Sequence, residues 1–195
     1  MSTKKTGTKK ALIQRKSVSR LALSALLRMV CSYFFSAVIF LAIASTENRT
    51  LWKLLQILSA GILVSFLYVL MWYDGDRDSN LVLFGHVDFD PLRGIKAGLL
   101  AALPAALSYP LLALAKATES NPLFTVYRII NLPFIGFMNL LASSAYIEDI
   151  DTRFMIAMAF VPAVYVIASA MGYLLGYKHF SVIKTIAFKN RREKN

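Results

Sequence analysis

Five apolar runs, each about 20 residues long and almost free of charge, dominate the chain: residues 21–44, 51–73, 95–115, 123–147 and 154–177. That is the length an α-helix needs to cross roughly 30 Å of hydrocarbon. Lipid gives backbone N–H and C=O groups no partner, so such runs fold as helices that bond their own main chain. The sequence reads as an all-α, polytopic integral membrane helix bundle. Its 57% hydrophobic content also exceeds the about 45–50% of ordinary soluble domains. One transmembrane domain over residues 21–177 is expected, between a basic tail at 1–20 and another at 178–195.

Charge then decides the threading. The net charge is +11. Lys4, Lys5, Lys9, Lys10, Arg15, Lys16 and Arg20 precede the first run, and Lys178, Lys184, Lys189, Arg191, Arg192 and Lys194 follow the last. On a soluble protein such clusters suggest nucleic acid. Beside membrane segments they suggest anionic lipid head groups and cytoplasmic retention, so no nucleic-acid partner is expected. Two cytoplasmic tails require an even number of crossings, yet there are five runs. Residues 123–147 are the run that fails to cross, because they hold Arg128, Asn131, Pro133 and Asn139. An arginine at the centre of a span costs about 2.5–3.5 kcal/mol to insert. The expected architecture is four spans plus a re-entrant or interfacial fourth segment. The alternative is five full spans, with one basic tail outside.

The sizeable polar interruption is residues 73–98. It holds Asp74, Asp76, Asp78, Asp88 and Asp90, five of the 11 acids. We expect a solvated acidic loop at 74–94 on the cytoplasmic side, an electrostatic handle for a basic partner. Asp74, Asp76 and Asp78 have the spacing that opens a calcium loop. However, Ser79 and Gly85 stand where that loop needs Gly and a bidentate Glu, which leaves weak metal candidates only. The Asp74–Gly75 pair also occurs in the CDP-alcohol phosphotransferase pattern, but Met71, Asp78 and Ser79 occupy its first Asp, its Ala and its Arg places, so that family is not assigned. His86 and His179 have no second His or Cys nearby for zinc, and Cys31 alone makes no internal disulfide. No phosphate loop or nucleophile elbow is present, and no cofactor is expected.

Two further features point to function. Arg128, Asn131 and Asn139 share a helical face and are candidates to bind an anionic group between helices. The structural alternative pairs Arg128 with Glu119 or a lipid phosphate near the outer surface. Gly94, Gly98, Ala102 and Ala106 form one small-residue row, and Ala168, Gly172 and Gly176 a second; both invite close helix approach. The expected function is a non-enzymatic subunit or accessory component of a membrane complex, whose partner is another membrane protein or a second copy of the chain. A small-solute transporter or membrane substrate-binding subunit is the alternative. A metal-dependent lipid-modifying enzyme ranks last. The expected location is a cell membrane, taken as bacterial.

Overall fold

The computed structural model describes residues 15–44, 48–142, 144 and 146–180. Most of the two basic tails and much of the first turn therefore lie outside the described residues. Every regular element within them is helical: α1 (Val18–Ala44), α2 (Arg49–Leu83), α3 (Arg93–Ala117), α4 (Asn121–Ile130), a 3₁₀ turn (Leu132–Phe134), α5 (Ile135–Leu141), α6 (Thr152–Ala159) and α7 (Val161–Tyr177). Among the described residues four helices are long and apolar enough to cross a membrane, α1, α2, α3 and the α6–α7 unit over Thr152–Tyr177, and a bent pair over Asn121–Leu141 would make a fifth if it were one span. Leu23, Leu27, Phe34, Leu54, Leu107 and Ile167 lie exposed on them. Water would penalise these side chains; hydrocarbon does not.

α2 corrects the expected loop. Hydropathy falls at Tyr73, but the helix continues for ten more residues, through Asp74, Asp76 and Asp78 to Leu83. At 1.5 Å per residue its 35 residues span about 52 Å, well beyond an apolar layer of about 30 Å. The stop is Gly85, in the left-handed region at φ +68°. His86 N–H bonds back to the Leu81 carbonyl at 2.9 Å, the wrap that ends a helix at such a glycine. At the other end, Asn48 caps α2 by accepting from the Thr50 and Leu51 amides.

The fourth apolar run makes the hairpin of α4 and α5, bent by 95°. Asn131 leaves the helical region at φ −108°, ψ 31°. Pro133 has no N–H to donate, and proline biases the residue before it away from helix. Both arms return to one end of the bundle. At the start of α4, Asn121 Oδ1 accepts from the Ile147 amide at 2.9 Å. At the end of α5, Leu141 and Ala142 share a pocket with Asp149, Ile150, Asp151 and Phe154. Lys116, at the end of α3, donates to the Ile147 and Glu148 carbonyls.

The other end of the bundle gathers both described ends of the chain. Arg15 bonds Asp78, His179 contacts Asp76, and Trp72 Nε1 donates to the Phe180 carbonyl at 2.7 Å. Thus α1, α2, α3 and α6–α7 run end to end, while the hairpin enters and leaves on one side.

Glycines set the spacing between helices. A Cβ on Gly94 would lie 2.7 Å from the Tyr173 Cβ, and one on Gly98 would lie 2.9 Å from the Ser169 Cβ, so this row seats α3 on α7. The second row seats α7 on α2: a Cβ on Gly172 would lie 2.5 Å from the Tyr68 carbonyl oxygen, and one on Gly176 would fall on the Trp72 carbonyl. Ala102 and Ala168 are buried with them. Ala106 is exposed, and the buried face continues through Ala105 and Ser108 instead. A four-residue step overshoots the 3.6-residue turn by about 40°, so a fourth member drifts off the seam.

Candidate functional site

Three polar groupings stand inside or against this apolar fold. The first is an ionic knot at the side where the two described ends, Arg15 and Phe180, lie. Asp74 and Asp78 are four residues apart, hence on one face of α2, and both are buried. Arg93, at the start of α3, reaches Asp74 at 2.9 Å and Asp78 at 3.1 Å through Nε. Arg15 reaches Asp78 through Nε at 2.8 Å and Nη2 at 2.5 Å. The Tyr173 hydroxyl donates to the same Asp78 oxygen at 2.9 Å, and Arg93 also donates to the Lys16 carbonyl at 2.6 Å. Burial alone would pull the Arg15 guanidinium down, but its bond to Asp78 and that carboxylate's charge outweigh this and hold it above its ordinary value.

Two carboxylates and two guanidiniums balance, so the knot ties α2, α3, α7 and the N-terminal segment together. Asp76 points elsewhere, to His179 Nδ1 at 2.7 Å. The three aspartates therefore do not converge, and among the described residues no group of three His, Cys, Asp or Glu side chains is placed to hold a metal ion. Asp90 bonds Lys96 at 2.9 Å, and that bond, with the Leu92 amide, keeps its carboxyl below the usual carboxylate range. Asp88 gives its backbone carbonyl to Arg15. The basic group that this acidic stretch meets is the chain's own.

The second grouping surrounds the hairpin tip. Breaking a helix at membrane depth frees carbonyls that need partners, and neighbouring helices supply them. The Tyr33 hydroxyl of α1 donates to the Ile130 carbonyl. Ser59 of α2 lies 2.9 Å from both the Pro133 carbonyl and Ser36 Oγ of α1. Asn131 donates through Nδ2 to the Tyr127 carbonyl at 3.1 Å and to Ser108 Oγ of α3 at 2.8 Å. Tyr165 of α7 packs against Phe134, ring centroids 5.8 Å apart. Ser108 lies nine positions before Ala117, so the tip sits about 13 Å in from that end of α3.

Not every polar atom here is used. Among the described residues, the Gln56 amide, 0% exposed, has no hydrogen-bond partner at either atom, and neither have Asn131 Oδ1 or the Tyr165 hydroxyl. Each such buried group costs about 1–3 kcal/mol if it stays unpaired. Gln56 was not a sequence candidate. The signal was present, though: it is the one carboxamide in the run 51–73, whose other polar residues are Lys53, Ser59 and Ser65.

The third grouping is on the hairpin itself. The bend brings Arg128 and Asn139 together, with Nη2 donating to Oδ1 at 2.7 Å. The guanidinium carbon lies 5.6 Å from the centre of the Phe124 ring. Asn131 bonds to neither and turns into the core, because Pro133 ends the straight helix on which all three would share a face. The expected Arg128–Glu119 pair does not form; no ion pair to Arg128 is found among the described residues. Comparison of the chain with protein-family models, curated proteins and solved structures gives no match.

Proposed function

We propose that the chain is a non-enzymatic subunit of a membrane complex whose task is to hold a small solute inside the bilayer. The observation that supports this best is the re-entrant hairpin, anchored at mid-depth by side chains from several helices, with polar groups left over beyond what its broken backbone needs. Discontinuous helices near the midplane are how many membrane transporters make solute sites. Intramembrane polar groups without a structural use favour the same reading. In this proposal the protein lies in a bacterial cell membrane, with both basic tails cytoplasmic against anionic head groups.

Gln56→Leu tests it. If the amide serves only a bound solute, removing it relieves an unpaired buried group and raises the melting temperature of the solute-free protein by a few degrees. A panel of amides, polyols, amino acids and phosphate esters, applied to wild type in a gentle detergent, is expected to contain a stabilising solute to which Gln56→Leu no longer responds. Identical responses of the two proteins to every solute would contradict the proposal.

One observation favours a second reading, an accessory subunit that only docks a partner. A groove of about 580 Å³ between α2 and α7 runs into another of about 560 Å³ reaching the hairpin, the two sharing Val64 and Val164. The lining is nearly all apolar, and a Cβ on Gly61 would meet nothing within 4 Å. A partner's transmembrane helix fits such a surface. A partner that Gly61→Leu displaces, with no solute response, would select this reading.

A further inference from the structure

Arg128 is a cation in the apolar part of the fold, and no carboxylate among the described residues pairs with it. It lies seven positions into α4, about 10 Å along the helix. Its described partners, the Asn139 carbonyl oxygen and the Phe124 ring, are both neutral. Arg93, by contrast, has two aspartates and Arg15 has one; Arg28 of α1, like Arg128, has a neutral partner, the Phe66 carbonyl at 3.4 Å. A guanidinium has five N–H donors in a planar fork, and the bond to Asn139 uses one nitrogen. Asn139 in turn spends its oxygen on Arg128, which leaves its NH₂ as a donor beside the fork. Thr125, one turn earlier on α4, donates to its own Asn121 carbonyl and brings no charge. The result is a set of donors without an acceptor, around a fixed positive charge, in surroundings where an unpaired charge is costly.

We infer that Arg128 and Asn139 form an oxyanion site on the hairpin, and that its ligand is a phosphate group. A guanidinium binds the paired oxygens of phosphate bidentately and more strongly than it binds neutral acceptors. The phosphate belongs either to a lipid headgroup reached from the near surface or to a soluble solute. This rests on the reading of the hairpin as a ligand-holding element.

The test uses the full chain, delipidated in a phosphate-free maltoside detergent. Melting is followed with inorganic phosphate against chloride at equal ionic strength, and with phosphatidylglycerol against diacylglycerol, which lacks the phosphate. Wild type is expected to be stabilised in at least one phosphate arm. Stabilisation by phosphatidylglycerol alone assigns the site to lipid; stabilisation by inorganic phosphate assigns it to a solute. Arg128→Gln is expected to weaken the response at least tenfold, and Arg128→Lys, which keeps the charge but not the fork, to weaken it less. Asn139→Ala, which leaves the cation in place, serves if Arg128→Gln does not fold, and is expected to weaken the response too. Equal shifts in wild type and variants, equal shifts with diacylglycerol, or no phosphate response at all overturn the inference. If that happens while Gln56→Leu still abolishes a solute response, this inference falls and the proposed function stands.

Discussion

Replacing Asp78 with alanine is expected to cost about 3–5 kcal/mol, the usual result of removing one partner from a buried ion pair. Its Oδ2 is the shared acceptor for Arg15, Arg93 and the Tyr173 hydroxyl, and its side chain is 2% exposed. Without it, Arg15 keeps only the Asp88 carbonyl and a 3.3 Å contact with the Tyr173 hydroxyl, and Arg93 keeps one carboxylate instead of two. The buried Arg93 would then rely on Asp74 alone, and the half-buried Arg15 would have no carboxylate among its described partners. Asp78→Asn, which keeps the shape and one acceptor, should fall between. The control is Asp90→Ala, which breaks the exposed pair with Lys96 and should cost less than about 1 kcal/mol. Because Lys96 holds the Asp90 carboxyl below its unfolded value, that small contribution is complete above the ordinary carboxylate range and is lost as pH falls through the lowered value. Denaturant-induced unfolding in a neutral detergent measures all three variants. A loss for Asp78→Ala no larger than for Asp90→Ala would mean that the knot does not hold the helices.

Gly136→Val is the second large effect. A Cβ on Gly136 would fall on the Gln56 carbonyl, a main-chain atom inside α2 that cannot swing aside. Overpacking a fitted interior typically costs about 1–3 kcal/mol, and more where backbone must move. Here the movement would lift α5 from α2 and stretch the Ser59 contact to the Pro133 carbonyl, so the loss should lie at or above the top of that range. Gly61→Ala, on α2, is the control: nothing stands within 4 Å of its added Cβ, and it should lie within about 0.5 kcal/mol of wild type. Melting temperatures of the pair decide the matter. A Gly136→Val protein as stable as Gly61→Ala would mean that the hairpin is not seated against α2.

Much of this architecture was legible in the residues. Apolar runs of spanning length sit where the long helices are, because that pattern follows directly from the thickness of hydrocarbon. The interruption of the fourth run was legible as well: Arg128, Asn131 and Pro133 lie close together, and the helix breaks at Asn131. The end of α2 was not. Asp74, Asp76 and Asp78 read as a solvated loop because hydropathy counts a charged residue as exposed. What makes them helical is pairing with Arg15, Arg93, Tyr173 and His179, at separations from 19 to 103 residues that no local pattern encodes. Local hints did exist, in the four-residue step between Asp74 and Asp78 and in Gly85 as a helix stop. In the two small-residue rows, Gly94, Gly98, Gly172 and Gly176 face neighbouring helices, whereas Ala106 is exposed, because a step of four residues drifts off a 3.6-residue turn. Gly136 was missed because a single glycine beside Pro133 looks like part of a turn rather than a contact. Of the candidate ligand residues, Arg128 and Asn139 meet and Asn131 does not, since the shared face assumed a straight helix.

Residues 121–141 enter and leave the bundle on one side, so that α3 ends its crossing beside the point where α6 begins its own. Single cysteines at Thr118→Cys, Glu148→Cys and His86→Cys, in a chain whose exposed Cys31 is replaced by alanine, test it with a membrane-impermeant thiol reagent. The expected result is that positions 118 and 148 react from one face of intact cells or sealed vesicles and position 86 from the other. Positions 118 and 148 reacting from opposite faces would mean that the fourth segment crosses, and the account would be wrong.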